Sequence, residues 1–381
     1  MATAFLSNES TSTDIPKPKS KRILELDALR ALAAINLLLF HFTWVYYAKY
    51  GFESPLGMMF PYGKYGVQMF FMLSGFVNAF TLLRKNPTPK DFVAGRAIRI
   101  VPTFWLLVAF NVILLSLVPM FGQTVTGGSI AANMTVMPQM FGFDCMEPVT
   151  WTLMIEVLFY GFLLFALFTG KLNRPLFGTM MIAMGVCFVG VLGNQYIQQH
   201  YGGTSLSGVS KFVEDLLILK WMPLFSMGIL LNEIKMKRGT IALNCFGIFV
   251  SAIVFHAIDV KDHNPKATAL LFMMLTACAY GRLPILRFKP LLFIGAISYP
   301  LYLFHNNAGT LLMCNLEEWG VHPYAAFGIT TGAVVAMSAA ITFWFERPVS
   351  KFLQTSWRAF KERNSEPSNS VSVGSRSTST G

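Results

Sequence analysis

The chain has 381 residues, of which 54% are hydrophobic and only 13% are charged. A soluble domain of this size carries roughly twice that share of charged residues, so the composition excludes an ordinary soluble globular protein. The apolar residues come in blocks of about twenty, the length of an α-helix that crosses a bilayer. The sequence therefore predicts an all-α, polytopic membrane protein.

We predict ten apolar spans in one bundle, within a domain of residues 22–355. They lie at about 26–47, 65–83, 102–121, 151–169, 176–193, 213–232, 241–258, 268–281, 291–313 and 325–345. An even number of spans puts both termini on one side. Of the 30 lysines and arginines, 23 fall on that side, five on the opposite side, and two, Arg30 and Lys220, in the membrane. The positive-inside rule then predicts cytoplasmic termini, and the net charge of +11 indicates topology and lipid contact, not nucleic-acid binding.

The two ends of the chain are poor in apolar residues. Residues 1–21 lack the apolar core and cleavage site of a signal peptide and are predicted to be a disordered cytoplasmic tail. Residues 356–381 form a basic and then Ser-rich cytoplasmic tail, and 349–363 predicts a basic amphipathic helix on the inner leaflet. The five cysteines show no metal-binding spacing, and a disulfide between Cys145 and Cys314 stays open.

The first span, LDALRALAAINLLLFHFT, holds one cation and one imidazole. Arg30 and His41 are eleven residues apart, so on a helix they share a face and lie about 16 Å apart along the axis. Ionisable groups in such a run usually face the bundle interior and mark a site. The alternative to a site is that Arg30 extends to the cytoplasmic membrane interface and that His41 is an interfacial histidine without a functional role.

Two further segments carry polar groups before the third span. Gln68 lies near the start of the second span, GVQMFFMLSGFVNAF. Ser74 and Asn78 of the same span suit hydrogen bonds between helices at least as well as a role in a site. Arg96 and Arg99 precede the third span and lie one helical turn apart, on one face. Two guanidinium groups there suit a phosphate clamp, although positive-inside anchoring gives the same pattern.

The fourth and ninth spans supply the remaining candidates. Glu156 lies five residues after Trp151, at nearly the predicted depth of His41, so the two could form a base with its orienting carboxylate. Ser298, Tyr302 and His305 follow at i, i+4 and i+7, which is one helical face. The last span ends in FERP, which favours a helix terminus with an ion pair between Glu346 and Arg347.

Six motifs in this order resemble the membrane acyltransferase-3 family. They are the Arg-x10-His of the first span, GVQMFFMLSGF, the Arg-x2-Arg followed by proline, WTLMIEVLFY, ISYPLYLFH and FERP. The resemblance covers about residues 22–355. It implies an integral membrane enzyme that moves an acyl group, commonly acetyl from cytoplasmic acetyl-CoA, to a carbohydrate, glycolipid or small molecule at the outer face.

The resemblance also implies roles for individual residues. His41 matches the catalytic base and Glu156 the acid of the fourth-span motif, which begins at Trp151. Arg30, Arg96 and Arg99 match acyl-CoA-binding positions, whereas Tyr302 and His305 match the ninth-span motif, with Ser298 on the same face. Gln68 departs from the pattern, because many members carry Asp there. No metal is implied.

Several alternatives stay open at this point. His41 could deprotonate the acceptor hydroxyl, or it could carry the acyl group itself. The oxyanion donors are unassigned, with Tyr302, Asn306 and Gln68 as candidates. A different class is a proton-coupled transporter of a small anion in the cell membrane, since intramembrane His, Glu, Arg and Lys suit a proton relay; a catalytically silent scaffold is a third option. The acceptor, the acyl chain, the host and the oligomeric state are not specified by the sequence.

Overall fold

The computed structural model describes residues 23–51, 57–118, 125–258 and 264–365, and in these ranges every long element is a helix. The predicted tails, 1–21 and the Ser-rich end after 365, lie outside them. The helices are α1 Leu24–Leu39, α2 Tyr46–Tyr50, α3 Gly66–Lys85, α4 Pro89–Leu117, α5 Gly127–Met134, α6 Trp151–Phe168, α7 Phe177–Tyr201, α8 Ser205–Leu216, α9 Met222–Lys235, α10 Ile241–Ile258, α11 Pro265–Ala279, α12 Lys289–Glu318, α13 Pro323–Ala340 and α14 Arg347–Ser365.

Seven continuous helical segments in the described ranges are long and apolar enough to cross a membrane. They are Leu24–Tyr50, Pro61–Lys85, Pro89–Leu117, Pro148–Phe168, Phe177–Tyr201, Ile241–Ile258 and Pro323–Asn364. Three other helices fall at predicted spans but do not meet this criterion. Helices α9 and α11 are short, with 14 and 15 residues, and α12 has 30 residues but contains no stretch that is apolar enough. Seven spans are therefore supported, and ten remains a prediction.

The sixth predicted span, 213–232, is wrong as one helix. The chain leaves α8 after Leu216, and Ile218 adopts a left-handed conformation with φ of +49°. Such a conformation is unfavourable for a β-branched residue, so the surrounding packing must hold it there. Pro223 in the first turn of α9 marks the restart, because proline is tolerated at the start of a helix but not in its interior.

The predicted helix end at FERP is also wrong. Residues Ile341–Glu346 form a π-helical turn, and the chain continues without a break into α14. The amphipathic helix predicted at 349–363 is confirmed as part of α14. Its Lys361 and Trp357 both bond to Asp91 in the first turn of α4, at 2.8 and 3.0 Å. α14 is therefore held against the helix that carries Arg96 and Arg99.

Helix α1 packs against α3, α11 and α12. Gly295 of α12 permits a close approach, since a Cβ atom there would lie 2.2 Å from the carbonyl oxygen of Asp27 in α1. After Leu39 the chain makes a π-helical turn, Phe40–Val45, which contains His41. Such turns are rare in proteins and frequently occur at functional sites.

Helices α3 and α9 cross through two glycines. A Cβ atom added at Gly75 would lie 2.2 Å from the carbonyl oxygen of Phe225, and one added at Gly228 would lie 2.0 Å from that of Met72. Small residues at such crossings allow the backbones to pack closely.

We expect Gly75→Ala to destabilise the protein by about 1–3 kcal/mol or more, because backbone atoms cannot move aside as a flexible side chain can. The measurement is the thermal unfolding temperature of the detergent-solubilised protein. Gly185→Ala in α7 is the matched control, since a Cβ atom there meets no atom within 4 Å. Equal unfolding temperatures for the two variants would contradict the close crossing.

Candidate functional site

The first of two adjoining cavities, here the histidine chamber, takes in about 1120 Å³ of space free of protein atoms, part of it open to solvent. His41 and Tyr302 line it, together with aromatic residues from three further segments. The remaining lining residues are Leu37, Phe40, Val45, Lys49, Lys64, Tyr65, Val67, Gln68, Pro148, Val149, Trp151, Lys220, Trp221 and Asn306.

The hydrogen bonds of His41 fix which of its ring nitrogens can act as a base. Its Nδ1 lies 2.8 Å from the carbonyl oxygen of Leu37, which can only accept. Nδ1 therefore carries the proton, and in the neutral ring Nε2 keeps the lone pair. Nε2 is therefore the ring nitrogen that is able to accept a proton.

His305 of α12 is the direct partner of His41. Its Nδ1 lies 2.8 Å from the carbonyl oxygen of Tyr302 and so donates there, which leaves Nε2 as an acceptor. Nε2 of His305 lies 3.2 Å from Nδ1 of His41. The Nδ1–H of His41 therefore donates to both Nε2 of His305 and the carbonyl oxygen of Leu37. His305 is buried, whereas His41 is partly exposed to the chamber. The pair thus places one ring behind the other, with His41 at the surface of the cavity.

The second cavity, here the arginine chamber, takes in about 770 Å³ of space free of protein atoms, part of it open to solvent. Arg30 from α1, Arg99 from α4 and Glu156 from α6 line it. The remaining lining residues are Val67, Phe70, Phe71, Leu73, Ser74, Val77, Asn78, Thr152, Leu153, Ser298, Tyr299 and Tyr302. Two guanidinium groups from separate helices therefore converge on one space, the geometry that suits a phosphate-bearing ligand.

Tyr302 and Val67 line both chambers, so the two cavities adjoin at these residues. The hydroxyl of Tyr302 donates to the carbonyl oxygen of Val149 at 2.6 Å and also contacts the hydroxyl of Thr152. These bonds hold the ring between the chambers. On the predicted face of α12, Ser298 lines the arginine chamber and Tyr302 lines both chambers, whereas His305 lies behind His41.

The predicted pairing of His41 with Glu156 is wrong. Glu156 lines the arginine chamber and accepts hydrogen bonds from Tyr160 and, at 3.1 Å, from Ser74. It also interacts electrostatically with Arg30 and Arg99. A similar depth along two helices does not make two side chains neighbours, because the faces that the helices turn toward each other also matter.

The two arginines before the third span separate in the structure. Arg99 lines the arginine chamber, whereas the guanidinium of Arg96 lies over the rings of Phe92 and Tyr160, 5.4 and 5.2 Å from their centroids. From the sequence, Glu346 of the FERP motif is predicted to have only a structural role. In the structure it interacts electrostatically with Arg99. Apart from the motif itself, nothing in the sequence indicates this contact.

The other predicted site residues fall on the two chambers. Gln68 is buried and its side-chain oxygen accepts from Thr268 at 2.8 Å, which joins α3 to α11. Trp151 faces Trp221, with ring centroids 5.3 Å apart, at the wall of the histidine chamber. Ser298 donates to the carbonyl oxygen of Gly295 at 2.9 Å, inside its own helix.

Glu147 is a buried carboxyl that the sequence analysis did not single out. It accepts from the backbone N–H of Asn307 at 3.3 Å, next to a bond between Asn307 and Asn111 of 2.6 Å. Burial raises the pKa of Glu147 to about 8, and the groups that bond to it are all amides. The only sequence signal is an acidic residue directly before Pro148, in a stretch without lysine or arginine.

This raised pKa predicts a pH dependence of stability. Between pH 4.5, the ordinary pKa, and about 8 the unfolded chain has lost the proton that the folded protein keeps, so stability falls as pH rises through this window. Glu147→Gln should remove that fall, and its unfolding temperature relative to wild type should increase by a few degrees from pH 5 to pH 8.5. Glu318→Gln, at the exposed end of α12, is the control. A constant difference across the pH range would refute the assignment.

The cysteines are free thiols, including Cys145 and Cys314, so the disulfide that the sequence left open is not formed. In the described ranges, no three His, Cys, Asp or Glu side chains lie close enough together to hold a metal ion.

The order of the motifs along these helices can now be compared with known proteins. The family model described as an acyltransferase domain, that of the acyltransferase-3 family, matches residues 23–345. The chain belongs to the acyltransferase-3 family. It is therefore an acyltransferase, and its apolar helices make it a multi-pass membrane protein.

Two curated relatives are similar to this acyltransferase at modest identity. The exopolysaccharide production protein ExoZ of Rhizobium meliloti is 26% identical over 303 residues, which cover 75% of this chain and 86% of ExoZ. The peptidoglycan O-acetyltransferase OatA of Listeria monocytogenes is 27% identical over 384 aligned residues, which cover 90% of this chain. The match covers 58% of OatA, so this acyltransferase spans little more than half of that relative. No solved structure matches the chain.

Proposed function

We propose that this acyltransferase moves an acyl group, with acetyl as the first candidate, from cytoplasmic acyl-CoA to a hydroxyl of a carbohydrate, a glycolipid or a similar acceptor. The acceptor lies at the outer face of the cell membrane, and the chain crosses that membrane about ten times with both termini in the cytoplasm. One observation carries the proposal: a chamber with two arginines adjoins a chamber with a preorganised histidine base, and the two meet at Tyr302.

The arginine chamber is the donor site in this proposal. Coenzyme A carries several phosphates, and arginine binds phosphate oxygens through two parallel hydrogen bonds. Arg99 and Arg30 hold the phosphate-bearing end, with Arg96 supporting the cluster through Tyr160 and the first turns of α4. Glu156 and Glu346 keep the guanidinium groups oriented while the site is empty. The pantetheine arm then extends past Tyr302 toward His41.

The histidine chamber is the site of transfer. Nε2 of His41 takes the proton of the acceptor hydroxyl while the hydroxyl oxygen attacks the carbonyl carbon of the thioester. The new C–O bond forms, the C–S bond breaks, and the thiolate of coenzyme A leaves and takes up the proton that His41 had accepted. His305 accepts from Nδ1–H of His41 throughout and so orients the ring and supports its charged form.

The acceptor class is supported by the relatives. One is named for exopolysaccharide production and the other as a peptidoglycan O-acetyltransferase. Both names refer to carbohydrate polymers at or outside the cell surface. A hydroxyl on a surface polysaccharide, or on its lipid-linked precursor, is the acceptor that these names favour for this chain.

The direct test uses purified protein in liposomes, with acetyl-CoA labelled in the acetyl group and an envelope extract of the host as acceptor. We expect free thiol to appear in step with labelled acetate on the extract. Acetyl-CoA should be consumed only on the side where a protease cleaves the C-terminal tail. Absence of both thiol release and acetyl-CoA binding would reject the proposal and favour an anion transporter, which needs no acyl-CoA.

A further inference from the structure

Three lysines converge on the histidine chamber from three separate segments. Lys49 lies in the last turn of α2, Lys64 in the turn Pro61–Tyr65 before α3, and Lys220 in the break between α8 and α9. Lys49 and Lys64 are two of only five cations in the segments predicted to lie outside. Cations are scarce on that side, so their meeting at one cavity is a specific feature.

The charge of the chamber wall is of one sign. The described residues that line it include these lysines and neither aspartate nor glutamate. Lys49 is close enough to His41 to act on it electrostatically. Glu214 and Asp215 at the end of α8 act on Lys220 from outside the lining, and so moderate its charge without entering the cavity.

Aromatic rings occupy the wall between the lysines. Trp221 and Trp151 face each other, Tyr65 lies beside Lys64, and the ammonium groups of Lys64 and Lys220 are 5.8 and 5.7 Å from the rings of Tyr65 and Trp221. Ring faces bind the apolar faces of sugar rings, and lysine binds carboxylate or phosphate oxygens as a point charge. Gln68 and Asn306 add amide groups at the wall.

We propose that the histidine chamber selects an anionic saccharide acceptor. Lys49, Lys64 and Lys220 bind its negative charge, and the tryptophans and Tyr65 hold its sugar rings so that a hydroxyl meets His41. This inference rests on the proposed function and names its substrate class. The charge is either a carboxylate on the sugar or a phosphate on its carrier, since lysines recognise both.

The test measures binding in the absence of acetyl-CoA. Trigalacturonate and its methyl ester share one sugar skeleton and differ in charge, and inorganic pyrophosphate represents a carrier phosphate. Dissociation constants for the detergent-solubilised protein are measured by calorimetry at low and high salt. The variants are Lys49→Gln, Lys64→Gln and Lys220→Gln, singly and together, with the three Lys→Arg changes as charge-keeping controls. Lys211→Gln is the matched control, because Lys211 is exposed on α8 and does not line the chamber.

Wild type should bind trigalacturonate at least about tenfold more tightly than the ester, a difference of ~1.4 kcal/mol. The combined Lys→Gln variant should lose this preference, whereas Lys211→Gln and the Lys→Arg variants keep it. Lysine-dependent binding of pyrophosphate without that of trigalacturonate assigns the charge to the carrier. Equal affinity of wild type for ester and acid, together with no binding of pyrophosphate, would overturn the proposal. A loss of coenzyme A affinity in the Lys→Gln variants would do the same, because it would assign the lysines to the donor.

Failure of this inference and failure of the transferase are distinguishable. Thiol release from acetyl-CoA with the neutral ester as acceptor reports on transfer alone. Transfer to the ester without any preference for the acid rejects only the lysine site. Charge-selective binding without thiol release from any acceptor retains the lysine site and rejects the transferase.

Discussion

Replacing His41 with glutamine will lower acyl transfer by about 100- to 10,000-fold, the usual contribution of a general base. Glutamine keeps the hydrogen-bonding capacity and approximate length of the side chain but has no nitrogen that can take a proton. The unfolding temperature and the affinity for coenzyme A should stay near those of wild type, because Arg30 and Arg99 lie in the other chamber. The measurement is the rate of thiol release at saturating acetyl-CoA.

His200→Gln is the matched control for this change. His200 is exposed near the end of α7, and its Nδ1 bonds to the carbonyl oxygen of Tyr196, four residues before it, as that of His41 bonds to Leu37. It lines neither chamber. His305→Ala should reduce turnover less than His41→Gln, since Nε2 of His41 would still face the chamber. Wild-type rates in His41→Gln would refute the assignment of the base.

Replacing Arg99 with glutamine will raise the KM for acetyl-CoA by roughly 10- to 150-fold. This range corresponds to the ~1.5–3 kcal/mol that hydrogen bonds to charged groups contribute. Arg96→Gln should have a smaller effect, because its guanidinium lies over two rings and not at the chamber wall. Arg84→Gln, at the exposed end of α3, is the control.

A truncated donor makes this prediction specific. Acetyl-pantetheine has the thioester and the flexible arm but lacks the nucleotide phosphates. If Arg99 binds phosphate, its replacement should leave the KM for acetyl-pantetheine nearly unchanged while that for acetyl-CoA rises. An equal rise for both donors would show instead that Arg99 supports the shape of the chamber.

Much of the helical pattern follows directly from the sequence. The predicted span 241–258 coincides with α10, and residues 151–169 coincide with α6 to within one residue. These agreements arise because apolar length and helical period are local properties of a chain. The break at Ile218 is different, since Leu216–Leu219 are all apolar and only Pro223, five residues later, signals a restart.

The sequence predicts many of the residues that line the candidate site, but not which of them contact each other. Arg30, Gln68, Trp151, Ser298 and Tyr302 all line one chamber or the other. The sequence could not tell that His41 meets His305 and not Glu156, because contact depends on which helices are neighbours and how each is rotated. The π-helical turn at His41 changes the rotation of the helix locally, and no residue in the sequence FHFTWV indicates such a turn.

The position of Tyr302 has a consequence for the energy balance of the cell. A conduit that joined the two sides of a membrane through polar chambers would let protons and ions leak and dissipate the electrochemical gradient. On the proposed route, the ring of Tyr302, tied to Val149 and Thr152, acts as a septum between the arginine and histidine chambers. On the proposed route, the enzyme would export acyl groups without acting as a pore.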